Sequence, residues 1–191
     1  MESWHTLVHV CRKWRNIVFG SPRRLNLRLY YRKTVRRMLD VWPALPIVIK
    51  VINVDLWRLD DIISTLEHND RIYELNIPEA LASQLNRILP AMQQSFPALT
   101  RLELGCGDET TPVQPDSFLG GSAPRLQYLI LDRILFPGLP KLLLSATRLV
   151  ALEIWMIPLY GYISPAVLVT AHCLDPARIF RPFISIPSIF P

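Results

Sequence analysis

Glycine is scarce in this chain, 7 of 191 residues against 17 prolines, so punctuation falls mostly to proline. Cysteine is scarcer still. Cys11, Cys106 and Cys173 lie far apart and are odd in number, which excludes a disulfide framework and reads as reduced core residues of the cytosol or nucleus. No run approaches 18 consecutive apolar residues, so a membrane span is not indicated. The opening Met1-Glu2-Ser3-Trp4-His5 has no charged segment followed by an apolar one, so no secretory signal is expected. Only 19% of residues are charged and 50% are apolar, enough for a packed core and against wholesale disorder. The length suits one or two domains.

Enzymatic signatures are lacking too. Gly105-Cys106-Gly107 is too short for a dinucleotide loop, and neither Gly-x-Ser-x-Gly nor a Walker pattern occurs. Gly120-Gly121-Ser122 reads as a turn. His5 and His9 sit one helical turn apart, a spacing compatible with a metal, but no third ligand accompanies them. His172-Cys173 reads as structural or incidental. The chain is therefore read as non-catalytic, with no cofactor and no metal.

What is present is a pattern of leucines that returns four times: Ile72-x-x-Leu75-x-Ile77, Leu99-x-x-Leu102-x-Leu104, Leu126-x-x-Leu129-x-Leu131 and Leu149-x-x-Leu152-x-Ile154. Its central leucines step by 27, 27 and 23 residues, the period of a leucine-rich repeat. Each pattern ends in a short strand whose alternate side chains point inward, and one unit cannot bury that face alone. Cys106 falls near the place where such repeats use Asn or Cys to tie the turn after the strand.

The remaining elements follow from periodicity. A first helix spans residues 3–19, its apolar face made of Trp4, Leu7, Val8, Cys11, Trp14 and Val18, widened by Val10 and Ile17. Strict alternation predicts a strand over residues 24–29, Thr34 caps a helix over 35–42, and Ile47–Val51 is the next strand. Leu59, Ile62, Ile63 and Leu66 make a helix, with Asp60 and Asp61 in its first turn. Strands are expected at 72–77, 99–104, 126–131 and 149–154. Between them, Leu81, Leu85, Ile88, Leu89 and Met92 share a helical face that Pro90 should kink or restart. Residues 105–115 read as an irregular loop, a helical turn is expected near 116–119, and Pro140 opens a helix over 141–146. From residue 158 the leucine pattern stops, and Pro158, Pro165, Pro176, Pro182, Pro187 and Pro191 crowd the tail.

The expected fold is thus α/β, a leucine-rich-repeat-like solenoid with a curved parallel sheet over residues 25–157, preceded by a helical segment at 1–24 and followed by a divergent proline-rich tail at 158–191. Strand alternation sets Glu74, Asn76, Arg101, Glu103, Tyr128, Ile130, Asp132, Glu153 and Trp155 on the concave side. Mixed charge with aromatics suits a protein partner, because Tyr and Trp bring contact area at low entropic cost.

Residues 1–37 carry a charge of +9 and the remainder −4. Arg12, Lys13, Arg15 and their basic neighbours interleave with Trp14, Tyr30 and Tyr31, which could grip phosphate and stack on bases. No nucleic-acid motif overlays the run, so the preferred reading is solvated outer faces with Trp14 in the core.

Residues 4–27 resemble the second half of an F-box, with Val10-Cys11-Arg12-Lys13-Trp14-Arg15 at the centre and Ser21-Pro22 at the exit. Asp40-Val41-Trp42-Pro43-Ala44-Leu45-Pro46, Asp116-Ser117-Phe118-Leu119-Gly120-Gly121-Ser122-Ala123-Pro124-Arg125-Leu126 and the stretch from Phe136 to Thr147 look like segments of the large fungal F-box and leucine-rich-repeat families. That resemblance covers roughly residues 4–165. It implies a partial F-box whose Leu7, Val10, Cys11 and Trp14 face a Skp-type adaptor of a cullin–RING ubiquitin ligase, while the repeats choose the protein substrate. In the family, the other F-box half is a helix opening with Leu-Pro-x-Glu before the position of Trp4.

Overall fold

The computed structural model describes residues 10–20, 27–30, 39, 45–51, 59–109, 111–115 and 117–156. Six strands form one sheet: β1 (Leu27–Tyr30), β2 (Ile47–Lys50), β3 (Ile72–Ala80), β4 (Arg101–Cys106), β5 (Tyr128–Asp132) and β6 (Ala151–Trp155). Every neighbouring pair is parallel and the order in space is the order in sequence. The helices are α1 (Arg12–Phe19), α2 (Leu59–Leu66), α3 (Ala82–Ile88) and α4 (Leu139–Ser145), joined by 3-10 helices at Leu89–Gln93 and Phe118–Gly121. This is the α/β architecture expected from the spacing, and β1 and β2 join the sheet although they lack the full leucine pattern.

The unit repeats because its turn repeats. Leu99 donates its N–H to the Phe96 carbonyl, Leu126 to that of Ala123 and Leu149 to that of Ala146, each at 3.1 Å. Pro97 and Pro124 hold the second position of two of these turns, where their fixed φ costs nothing. The residue after each leucine then reaches sideways: Thr100 N–H to Tyr73 O at 2.9 Å, Gln127 N–H to Thr100 O at 2.8 Å, Val150 N–H to Gln127 O at 2.7 Å. Strand pairing therefore begins later than the leucine pattern suggests. Leu99, Leu126 and Leu149 belong to the turns, and the strands start at residues 101, 128 and 151.

Leu75, Ile77, Leu102, Leu104, Leu129, Leu131 and Leu152 are buried in one cluster with Leu85, Ile88, Met92, Phe96, Phe118 and Leu142 from the helices and turns. Phe118 and Phe136 meet edge to face at 5.2 Å between ring centres, a favoured aromatic geometry. Truncating a residue such as Leu102, wholly buried, to alanine should cost about 2–5 kcal/mol.

Several details differ from expectation. Leu81 is the N-cap of α3 and 45% exposed rather than part of its buried face, because the helix begins only at Ala82. Pro90 restarts the helix as a 3-10 segment, as its missing N–H requires. The turn expected near 116–119 is the 3-10 helix at 118–121, where Leu119, Gly120 and Gly121 have positive φ. The excursion after β4 is not wholly irregular, since Val113 bridges Leu135 in parallel. Trp14 is 46% exposed and not in the core; among the described side chains of α1, Phe19 packs against the hydrophobic cluster. The helix expected over 35–42 (apart from Leu39), the proline-rich tail, and His5, His9 and His172 lie outside the described residues.

Candidate partner-binding face

The helices cover one face of the sheet, and the pleat sends alternate residues of each strand to the other. Register sorts that open face into rows. Glu74, Arg101, Tyr128 and Ala151 lie side by side, then Lys50, Asn76, Glu103, Ile130 and Glu153, then Gly105, Asp132 and Trp155. All nine residues expected on the partner face therefore share it. Lys50 belongs with them and was missed, although alternation in β2 would have assigned it.

The two ends of the face differ. On β2 to β4 the polar groups satisfy one another. Lys50 Nζ lies 3.8 Å from Glu74 Oε2, Asn76 Nδ2 donates to Glu103 Oε2 at 2.6 Å, and Arg101 reaches the same oxygen at 3.5 Å. The Arg101 guanidinium also lies over the Tyr128 ring, 5.4 Å from its centre. These pairs are half-exposed, so each adds little stability, but together they hold the side chains in place.

On β5 and β6 the face is less self-contained. Tyr128 is 36% exposed, and Ile130, Glu153 and Trp155 are half-buried. No hydrogen bond or ion pair holds Glu153 among the described residues. One Asp132 oxygen is buried without a partner, and burial pushes its carboxyl above the ordinary value, with Arg133 opposing. Arg133 adopts φ 53°, gives its backbone N–H to Trp155 O at 3.0 Å and lays Nε 3.2 Å from Met156 Sδ. Met156 is 56% exposed at the end of this row.

A backbone feature that no motif announces shapes the middle of the face. β3 and β4 lose register between Ile77 and Ala80, so Pro78 and Glu79 stand against Gly105 alone. Proline is tolerated there because a bulge asks for no ladder N–H. A side chain on Gly105 would collide with the Pro78 carbonyl oxygen, which fills that space on the open face.

No family model matches the chain, and no curated protein and no solved structure does either. The geometry alone therefore carries the comparison with the expected F-box remnant. Val10, Trp14 and Ile17 are 63%, 46% and 59% exposed and spaced four and three residues apart, and Cys11 is exposed beside them. Arg12, Lys13 and Arg15 are exposed on the same segment, while Leu7 lies outside the described residues. Cys106 is buried, and burial pushes its thiol up against the lowering effect of a hydrogen bond with the Asp108 backbone. It ties the turn after β4 and belongs to the frame rather than to the face. Among the described residues no group of three or more His, Cys, Asp or Glu could hold a metal, and no helix is long and apolar enough to cross a membrane.

Proposed function

We propose that the chain is a non-catalytic protein-binding module, the substrate receptor of an F-box-type cullin–RING ubiquitin ligase, built as a leucine-rich-repeat-like solenoid behind a partial F-box. The observation that carries the receptor half is the open face of the sheet. Nine positions on four successive strands present mixed charge and two large aromatics side by side, over a frame that needs none of them for its core. A face of that size with Tyr and Trp near one end suits a protein surface better than a small molecule. The adaptor half rests on the resemblance around Val10–Arg15 and on the exposed stripe of Val10, Trp14 and Ile17, which a partner helix could cover.

Co-precipitation tests both halves. The chain should retain a purified Skp-type adaptor and lose it in Trp14→Ala. Partner proteins captured from a fungal extract should be retained by the wild type and released by Tyr128→Ala with Trp155→Ala. Capture of partners without the adaptor would leave a repeat protein that binds without recruiting ligase. Capture that survives the Tyr128 and Trp155 substitutions would refute the receptor reading.

A further inference from the structure

Charge and donor balance divide the open face, and that division says what its free end would hold. On β2 to β4 the cations are already committed: Lys50 to Glu74, and Arg101 to Glu103 and the Tyr128 ring. Past that network the charged groups on the strands are the carboxylates of Asp132 and Glu153. Glu153 stands beside Ile130 with no partner among the described residues, and Asp132, half-buried, lies diagonal to it beside Trp155. The nearest cation, Arg133, turns its Nε to Met156 Sδ. Around these acceptors lie Tyr128, Ile130, Trp155 and the exposed Met156.

We propose that the β5–β6 end of this face docks a protein segment through a basic side chain, arginine or lysine, set between Glu153 and Asp132 and flanked by an apolar residue against Tyr128 and Trp155. The inference rests on the receptor reading and adds the chemistry of its partner. Complementarity drives it. Two carboxylates call for several donors at once, and a guanidinium supplies five in a plane. Half-buried aromatic and aliphatic neighbours exclude water and strengthen such a pair relative to one in open solvent. An acidic side chain in the same place would meet like charge on two sides, which gives the face selectivity as well as affinity.

The test uses the full chain, labelled, on an array of short peptides in which Arg, Lys, Gln or Glu is fixed at the centre and the flanking positions vary, with hits titrated in solution. Peptides centred on Arg or Lys with an apolar neighbour should bind about tenfold more tightly than their Glu counterparts. That preference should collapse in Glu153→Gln combined with Asp132→Asn, and in about 0.5 M salt. Glu67→Gln, which removes an exposed carboxylate outside the strands, should leave it unchanged. Equal binding of Arg and Glu peptides, still weakened by Tyr128→Ala, would overturn the basic-segment inference while the receptor reading stands. A preference for acidic peptides, or no binding to any peptide, would also overturn it, whereas the receptor reading falls only if the protein-capture experiment fails.

Discussion

The carbonyl oxygen of Pro78 occupies the space a side chain on Gly105 would need. The two residues face each other across the β3 bulge, so a proline that donates nothing and a glycine that projects nothing are one local solution. Gly105→Ala must push the β3 backbone away or break the pairing, and backbone yields less readily than a side-chain tip. We expect a loss of about 3 kcal/mol, read as a fall in the urea midpoint. Gly107→Ala serves as the control, since its added carbon would sit 3.9 Å from Ala80 O in ordinary contact. A midpoint for Gly105→Ala equal to that of Gly107→Ala would show that the bulge can relax.

Asp108 caps a helix that belongs to the unit before it. Its Oδ2 accepts the Ala82 N–H at 2.8 Å, at the start of α3, where helix N–H groups lack partners and negative charge is favoured. Leu81, the residue at the cap position, offers no side-chain acceptor of its own. Asp108→Ala should therefore cost about 1 kcal/mol, while Asp108→Asn, which keeps an acceptor, should cost less. Hydrogen exchange should quicken first at the Ala82 amide. Unchanged exchange there would assign the loss to the loop rather than the helix.

Asp132 gives a pH-dependent prediction. Burial raises its folded-state pKa above the unfolded value, so the folded chain binds this proton more tightly and ionisation opposes folding. The penalty is absent below the ordinary carboxylate range, grows as pH rises through the window up to the raised value, and is fully present above it. Asp132→Asn should then be more stable than the wild type at neutral pH, with the gap closing as the pH falls below that window. Parallel urea titrations across the acid range check this. A gap independent of pH would mean the carboxylate is solvated. If the basic-segment inference holds, the same substitution trades partner preference for stability.

The thiols should separate cleanly in reactivity. Cys11 is exposed, whereas Cys106 is buried with its thiol pushed up, so it offers little thiolate and little access. Iodoacetamide at neutral pH should alkylate Cys11 in the native chain and Cys106 only in denaturant, read by peptide mass spectrometry. Native labelling of Cys106 at the rate of Cys11 would show that the turn after β4 opens freely.

How much of this could be read from the residues alone depended on whether a feature repeats. The leucine ladder announced the parallel strands and their order, because each inward position recurs with the same burial demand in every unit. Alternation then placed Glu74, Arg101, Tyr128 and Glu153 on one face without any structure. What escaped was made by single events. The β3 bulge depends on one proline meeting one glycine across a strand gap, and the Asp108 cap joins residues 26 apart in different units. Gln114, almost wholly buried with both amide atoms unpartnered, carries no local signal at all. The last three strand starts were read two residues early because Leu99, Leu126 and Leu149 are buried by the turn, and burial alone does not distinguish turn from strand.

Trp14 decides between two accounts of the first helix. A tryptophan packed in a core loses about 3–5 kcal/mol on truncation, because it leaves a cavity and gives up a large buried surface. Here Trp14 is 46% exposed, Val10 and Ile17 beside it are more exposed still, and Phe19 of α1 packs against the hydrophobic cluster. Trp14→Ala should therefore change stability in urea titration by no more than about 0.5 kcal/mol, while Phe19→Ala should cost more. The stripe keeps its apolar character at the surface, where water gives no reason for it, so its loss should be felt in binding. Adaptor capture should fall in Trp14→Ala and in Ile17→Ala and hold in Arg12→Ala. A destabilisation of several kcal/mol in Trp14→Ala would return this residue to the core and remove the structural support for a docking helix.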